Sequence, residues 1–437
     1  MLISDRSTVR RKSIRRKNRS GAIVVLIAFC LVLILTFVAV AIDGGGLLDL
    51  RRQAQATADA AALAAADDLF RNYPTNKGQD TGGTALARAN AIAAANGFNN
   101  DGTTCIVTVR QSPQTYLGGP NQGTTVPKGY VEVTVQYNQP RYFSAVIGSG
   151  AIPVSARAVA RGKWEPAFVG IHVLDPHSKG ALNATGGSVA NVTGGAKVIV
   201  NSDDPEAAIT NGGTVTASEL DITGGITSVG GSGGFFGGID LGTPPQPDPL
   251  RGIPEPDPSL LTDQSHGNTH FSNGNHTLSP GVYHGGITIS GKGSATMLPG
   301  IYYMDGGGFS MSGQGTLYAA GVMIFNAPKS NSDSVSITGS DGGTVYMTPP
   351  TTGIYQGLTV FQERNATPTL SISGGGNFYV TGTFYAANAL MNVSGGGSGH
   401  VGSQFISRYL DINGNGALNI DYDPNQAIPR RVLGLVE

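Results

Sequence analysis

The acidic residues of the C-terminal half are too scattered to predict a hydrolase or lyase site. Acid–base cleavage of a polysaccharide needs carboxylates, or acids paired with a base, on one face of the fold. Asp203 and Asp204 are adjacent, and neighbours on a strand point to opposite faces. The other candidates are far apart along the chain: Asp305, Asp333, Asp341 and Glu363. The sequence therefore predicts no catalytic residue.

Four histidines lie in one short stretch of the chain: His266, His270, His276 and His284. The spacing of His266 and His270 suits a metal ion only on a helix, and the intervening Gly267 and Asn268 disfavour a helix. We therefore expect exposed loop histidines, no metal ligand and no cofactor.

The segment DINGNG, from Asp411 to Gly416, resembles the start of a calcium-binding loop. Position twelve of that loop requires a bidentate Glu, and here it is Tyr422. We therefore interpret the segment as a turn between strands.

Tyrosines recur through the same half of the chain: Tyr283, Tyr302, Tyr303, Tyr346, Tyr355, Tyr379 and Tyr385. Stacking of such rings within and along a β-structure is their commoner role. The alternative is that they form a surface that binds a glycan or a partner protein.

Residues 21–42 place the whole chain relative to a membrane. Their sequence, GAIVVLIAFCLVLILTFVAVAI, contains no charged residue. At about 1.5 Å per residue, this run crosses a hydrocarbon core of about 30 Å. It is longer than the apolar region of a signal peptide, although Ala39-Val40-Ala41 fits a small-x-small cleavage pattern. We expect a retained transmembrane helix, and cleavage is the alternative.

The charge distribution predicts the orientation of that helix. Eight of the 28 Lys and Arg residues, but one of the 29 Asp and Glu residues, lie in residues 1–20, which leaves a net charge of about −8 on the rest. Basic residues favour the cytoplasmic side, so the tail 1–20 is expected inside and the chain after Asp43 outside. The negative main body disfavours nucleic-acid binding. The basic residues nearest the helix are Arg15, Arg16, Lys17 and Arg19.

The helical pattern continues beyond the membrane into an Ala-rich stretch. Small apolar residues recur there every three or four positions and form a narrow stripe. The stripe suits close packing, either against a helix of another subunit or against the chain's own ectodomain. Its members are Leu47, Leu50, Ala54, Ala58, Ala61 and Ala65.

These features occur together in a known order. Arg19 and Gly21 precede the apolar run, Asp43 follows it, and the segment QATADAAALA, residues 55–64, comes next. In this order residues 19–66 resemble the N-terminal domain of Flp pilus-assembly TadG-like proteins. The residues that carry the helical part of the motif are Gln55, Ala58, Asp59, Ala60, Ala61 and Leu63.

The resemblance implies a non-catalytic envelope component of a bacterial Tad (tight adherence) system. It implies a single-pass protein of the inner membrane that contacts other pilus-assembly proteins through the transmembrane and Ala-rich helix. Leu26, rather than Glu, stands five residues after Gly21, so cleavage by a prepilin-type peptidase is not expected.

Residues 71–162 are predicted to form a small α+β module. Residues 83–97 have a helical pattern, and residues 104–110, 129–137 and 152–160 alternate as strands. Residues 141–147 form a further helix or strand. In the second of the strands, Val131, Val133 and Val135 share one face.

Glycine dominates after Trp164, and a short unit of polar, apolar, Ser/Thr/Asn and Gly residues recurs. The spacing between units is close to 20 residues with longer insertions, which is typical of one coil per repeat in a solenoid. We therefore predict a mainly β fold whose Gly-rich part is a right-handed parallel β-helix, in preference to a β-sandwich or an irregular structure. The central apolar residues include Val192, Ile222, Ile289, Met311, Ile337, Ile372, Val393 and Ile412.

The Pro-rich stretch 243–264 interrupts the repeats. It either links a first solenoid part, 165–242, to a second part, 265–424, or packs along the outside of one uninterrupted solenoid. Residues 425–437 are expected to be a C-terminal tail.

Together these patterns favour a membrane-anchored, non-enzymatic component of a pilus-assembly or adhesion apparatus. Its ectodomain is expected to be a scaffold or an adhesive surface. The alternative is a carbohydrate-active β-helix enzyme tethered by a pilus-type anchor, which three or more carboxylates on one face would favour.

Overall fold

The computed structural model describes residues 20–146, 148–231, 233–339, 343–374, 377–395 and 400–437. Arg15, Arg16, Lys17 and Arg19 lie outside these described residues, as does Asp341.

The described chain is mainly β, with one long helix at its N-terminus. The helices are α1 Ser20–Arg71, α2 Tyr73–Asn76 and α3 Thr84–Ala95, and the 3-10 turns are Phe143–Val146 and Pro258–Leu260. The first eleven strands are β1 Cys105–Gln111, β2 Tyr130–Gln139, β3 Ile152–Glu165, β4 Val169–Val173, β5 Leu182–Thr185, β6 Val189–Thr193, β7 Lys197–Val200, β8 Ala208–Asn211, β9 Thr214–Ile222, β10 Ile226–Val229 and β11 Gly234–Leu241.

The strands after the Pro-rich stretch are shorter and more closely spaced. They are β12 Asp263–Ser265, β13 Thr269–Phe271, β14 Asn275–Leu278, β15 Gly281–His284, β16 Ile287–Ile289, β17 Ser294–Met297, β18 Gly300–Asp305, β19 Phe309–Met311, β20 Thr316–Ala319, β21 Val322–Ala327, β22 Val335–Thr338, β23 Thr344–Met347, β24 Leu358–Gln362, β25 Leu370–Gly374, β26 Asn377–Val380, β27 Thr383–Gly395, β28 His400–Val401, β29 Gln404–Gly414, β30 Ala417–Asp421 and β31 Arg430–Leu435.

Helix α1 has two halves of different character. Among the described residues it is the one helix long and apolar enough to cross a membrane, and its large apolar side chains before Asp43 are exposed, as at Phe37 with 75% exposure. After the membrane segment, Ala54, Ala58 and Ala61 are fully buried. The first half therefore indicates a membrane anchor, and the second half is part of a folded core.

The first compact unit comprises the chain up to Leu69, Gln79–Arg161 and Leu433–Glu437. Its sheet has the order β1-β2-β3-β31, with β1, β2 and β3 antiparallel. The alanines of the stripe pack with the buried face of α3 and with Val131, Val133 and Val135 of β2, and these alanines and valines are fully buried. The stripe thus packs on the chain's own folded unit. Part of the expected C-terminal tail forms β31.

The second unit comprises Phe70–Gly78 and Gly162–Val432. It is built from 27 strands, and the strand pairs described in it are parallel. Most strands pair with the strand three positions further along the chain, about 20 residues away. Equivalent residues of successive repeats therefore lie beside one another along the sheet.

The register of the strand pairs places the recurring apolar residues of successive repeats directly beside one another. Ile289 pairs with Met311, and each partner pairs in turn with the corresponding residue of the next repeat. All members of this column are 1% exposed or less, and burying one such side chain contributes roughly 1.5–3 kcal/mol. The column is Ile289, Met311, Ile337, Ile372, Val393 and Ile412.

The strands before and after the Pro-rich stretch form one continuous sheet. The order of the strands in this sheet differs from their order in the chain. The late strand β29 pairs with β4 and β5, and β30 pairs with β6, the earliest strands of the unit. On their other side, β4 pairs with β7 and β5 pairs with β8. The last repeats of the chain therefore lie directly beside the first repeats and share one hydrophobic core with them.

The Pro-rich stretch packs on this sheet. Leu250 and Ile253 are each 2% exposed and lie in a cluster with Phe325, Phe361 and Tyr385. Further contacts are polar: the Tyr385 hydroxyl donates to Asp248 at 2.7 Å, and a guanidinium nitrogen of Arg364 donates to the Leu250 carbonyl at 2.9 Å. The stretch therefore packs on the continuous set of strands.

Glycine is needed where successive repeats turn into a strand. Gly274, Gly293, Gly315 and Gly343 each directly precede a strand. In two cases the residue after the glycine donates to the glycine carbonyl of the neighbouring repeat: the Ser294 amide to Gly274 and the Thr344 amide to Gly315. A Cβ on Gly315 would lie 1.7 Å from the carbonyl oxygen of Gly293. Side chains are excluded there because the two backbones are in contact.

We expect Gly315→Ala to lower the free energy of unfolding by about 2–4 kcal/mol, because the added methyl group forces neighbouring repeats apart. Gly252→Ala is the matched control, since a Cβ at Gly252 has nothing within 4 Å. That control should change stability by less than about 0.5 kcal/mol. Urea unfolding of the detergent-solubilised chain, followed by fluorescence of Trp164, the single tryptophan, measures both. Equal effects would contradict the described stacking.

Candidate functional site

The motif residues of α1 divide between two faces of the helix. Ala58 and Ala61 are buried, whereas Ala60 and Leu63 are exposed. The amide of Gln55 donates to the Asp59 carboxylate at 2.8 Å and to the Arg157 carbonyl of β3 at 2.9 Å. One face of the motif thus holds the helix on its module, and the other face is accessible to a partner.

Arg157 also holds the C-terminus in place. Its guanidinium bonds the fully buried Glu132, with 2.5 Å between Nε and Oε1, and bonds the side chain of Glu437. Glu132 in turn accepts from the Leu117 amide at 2.7 Å. A buried carboxylate requires such partners. The network therefore holds β3 against β2 and holds Glu437 against β3.

Asp43 lies at the end of the apolar run, where the sequence places the membrane boundary. Its carboxylate accepts from the backbone amides of Phe143 at 3.3 Å and Ser144 at 2.7 Å. Gly21, at the other end of the run, lies in α1. Asp43 thus has a structural role in addition to the topological role predicted for it.

The strand pairing brings His284 together with His266, and not His266 with His270. His284 lies between two carboxylates: Nε2 is 2.8 Å from Asp263 Oδ1, and Nδ1 is 2.5 Å from Asp305 Oδ2. The rings of His266 and His284 stack with centroids 5.9 Å apart. His270 instead lies 2.9 Å from the Ser290 hydroxyl. The sequence missed this group because its members are one repeat apart rather than adjacent.

The same group contains atoms suited to a metal ion. One ligand atom each of Asp263, His266 and His284 lie within 4.8 Å of one another. However, both ring nitrogens of His284 already bond carboxylates, so a cation would have to displace a proton of its ring. Lys329 adds a positive charge 2.7 Å from Asp305. The described contacts link the two carboxylates, His284 and Lys329 into one charge network.

A second group unites two carboxylates of one strand with a third that lies one repeat further along the chain. Glu219 and Asp221 of β9 and Asp240 of β11 have oxygens within 4.8 Å of one another. Lys197 bonds Asp221, and its ammonium lies 3.9 Å from Glu219. Asp203 and Asp204 are used otherwise: Asp203 lies 3.0 Å from His177, and Asp204 accepts from the Glu206 amide. In both groups, residues about one repeat apart in the sequence lie beside one another, so comparing the sequence with itself at that offset identifies both groups.

Three tyrosines form a row on the outer side of neighbouring strands. The ring centroids of Tyr318 and Tyr346 are 5.0 Å apart, those of Tyr346 and Tyr379 are 5.3 Å apart, and the rings are almost parallel. Both faces of Tyr346 are therefore covered by its neighbours. The row stabilises the strands by stacking, and it offers a ligand ring edges rather than the face of this central ring.

The contacts of His284 make part of the stability depend on pH. The hydrogen bond that His284 donates to the Asp305 carboxylate raises the pKa of His284 above its ordinary value. The resulting stabilisation is complete below the ordinary pKa of about 6.5 and is lost as the pH rises through the raised value. We expect the stability difference between the wild type and His284→Asn to shrink as the pH is increased above about 6.5.

Urea unfolding at a series of pH values, followed by Trp164 fluorescence, measures this difference. His270→Asn is the matched control, because His270 bonds a hydroxyl and no carboxylate contact is described for it. A His284→Asn effect that is constant across the pH range would show that the carboxylates do not act on this histidine.

The comparisons with known proteins concern the N-terminal part of the chain. Residues 21–68 match the model of a family described as "Putative Flp pilus-assembly TadE/G-like". No curated protein and no solved structure matches the chain. The match covers the apolar run, Asp43 and the whole Gln55–Ala64 motif, which confirms the resemblance stated for residues 19–66. Residues 21–68 are thus similar to a TadE/G-like Flp pilus-assembly domain.

Proposed function

We propose that the chain is a membrane-anchored, non-enzymatic component of a Tad/Flp-type pilus-assembly or adhesion apparatus. The observation that carries the proposal is the family match at residues 21–68, together with the exposed apolar half of α1. The basic tail supports an orientation with the N-terminus in the cytoplasm, the ectodomain in the periplasm or outside the cell, and α1 in the bacterial inner membrane.

We further propose that the parallel strands of the second unit form a right-handed β-helix, which serves as a stiff scaffold or adhesive surface. Support comes from the parallel pairing at an offset of one repeat and from the buried columns of apolar residues. In such a fold each repeat buries its inner face against its neighbours, which makes the stacked repeats stiff.

The exposed side of the motif helix is the part that we assign to partner subunits. Leu63 is 39% exposed, although it belongs to the family motif, while the buried side of the same helix is committed to the chain's own core. A large apolar side chain that the fold leaves exposed within a pilus-assembly motif fits contact with another apolar helix.

We expect a photo-crosslinking amino acid at Leu63 to form adducts with other pilus-assembly proteins in membranes of the source bacterium. The matched control position is Leu260, which is 82% exposed and lies in the Pro-rich stretch. Adducts are identified by mass spectrometry of the purified full-length chain. If position 63 yields no pilus-assembly protein, or yields the same proteins as position 260, the assignment of this face is wrong.

The carboxylates Glu219, Asp221 and Asp240 favour one competing function, a carbohydrate-active enzyme. Three acids within 4.8 Å of one another meet the minimum requirement for acid–base cleavage. The contact of Lys197 with Asp221 and Glu219 supports the alternative role of an ion-pair network between strands.

We expect the purified full-length protein to release neither reducing ends nor unsaturated sugars from acidic and neutral polysaccharides. An enzyme would release them, and Glu219→Gln with Asp240→Asn would reduce the rate by about 100-fold or more. Gln264→Ala, a substitution of an exposed side chain elsewhere in the same unit, is the control. Cleavage that is lost in the double variant and retained in the control would show that the protein is an enzyme and that the proposal of a non-enzymatic scaffold is wrong.

A further inference from the structure

We propose that the turn Phe143–Val146 is a second membrane contact, in which Phe143 and Val146 insert among the lipid acyl chains beside α1. Tyr142 lies next to this turn, at the level of the lipid headgroups. The proposal rests on the membrane anchor and adds a lipid-binding surface on the ectodomain.

The exposure of these side chains is the first support. Val146 is 92% exposed, Tyr142 67% and Phe143 54%. Single exposed apolar residues are ordinary, but three within five residues, including two aromatic rings, form a patch of the kind that contacts a membrane or a partner. Aromatic residues are also enriched where proteins meet the membrane–water interface.

The position of the turn shows which surface the patch meets. Phe143 and Val146 line a groove of about 370 Å³ with Val32, Leu35, Ala39 and Ile42 of α1. The helix from Val32 to Ile42 extends about 15 Å along its axis, at 1.5 Å per residue. These residues belong to the run that crosses the bilayer, so the turn lies beside the membrane-embedded end of the helix.

Asp43 holds the turn at this depth. Its carboxylate accepts the amides of Phe143 and Ser144, the first two residues of the turn. Backbone amides near a membrane are costly unless they are bonded within the protein, so this contact permits the turn to enter the apolar layer. Arg141 closes the other side of the loop by donating to the Gly150 carbonyl at 3.1 Å. Asp43 is therefore a positioning residue.

The occupant of the groove that fits these observations is lipid. The groove is continuous with the exposed surface of the apolar run, which faces acyl chains along its length. The groove residues named above carry no charge, so each of them can pack against an acyl chain.

The test uses single cysteines labelled with the fluorophore NBD in the full-length protein. The protein is reconstituted at low density in vesicles of phosphatidylethanolamine and phosphatidylglycerol. The native Cys30, inside the apolar run, is the membrane-embedded control, and Leu260→Cys is the water-exposed control. Val146→Cys is examined with Cys30 and Cys105 replaced by Ala, and Trp164 fluorescence verifies folding.

We expect iodide to quench the label at position 146 at least about threefold less than the label at position 260. Lipids that carry a doxyl group on the acyl chain should quench position 146 as they quench position 30. Equal iodide quenching at positions 146 and 260, with lipid quenching retained at position 30, would overturn the proposal while the anchor stands. Loss of lipid quenching at position 30 would overturn the anchor and the proposal with it.

The same label separates lipid from a protein occupant. If position 146 is shielded from both iodide and doxyl lipids, and the shielding disappears on dilution with lipid, a second copy occupies the groove and the proposal is wrong. Asp43→Ala should raise iodide quenching at position 146 severalfold, because the turn loses its attachment. Asp43→Asn keeps an acceptor oxygen and should remain shielded.

Discussion

Parallel backbone pairing between segments about one repeat apart is the constraint on which most of this structure depends. A short strand such as Ile287–Ile289 has too few residues to be stable alone, and it becomes stable because both neighbours satisfy its backbone groups. The same pairing determines which residues are compatible with each position. Apolar residues alternate inward, hydroxyl and amide residues alternate outward, and glycine is required where two backbones touch, as at Gly293 and Gly315.

This constraint also creates the side-chain groups on the surface. A repeat of about 20 residues places His284 beside Asp305 and Asp263, and places Asp240 beside Asp221 and Glu219. Charged residues that are unremarkable in sequence become networks because the fold aligns them. Such networks stabilise the contact between repeats only while their charges remain complementary, which makes His284 sensitive to pH.

The sequence allowed the anchor and the repeats to be predicted, because both are local patterns. The uncharged run 21–42 and the ADAAALA segment were sufficient to recognise the N-terminal domain, and the recurring apolar residue of each repeat defines the buried column from Ile289 to Ile412. The pairing of β29 with β4 was not predictable, since it joins segments more than 200 residues apart and many registers fit such similar repeats. Likewise, no periodic pattern shows that Leu250 and Ile253 are buried or that residues 430–435 form a strand.

The proposed function requires that the TadE/G-like segment has a specific role beyond membrane attachment. The most direct measurement is pilus-dependent surface attachment of the source bacterium after deletion of this protein and complementation. We predict that the full chain restores attachment, whereas a chain whose residues 21–68 are replaced by an unrelated transmembrane helix reaches the membrane but does not. Full restoration by the unrelated helix would contradict the claim.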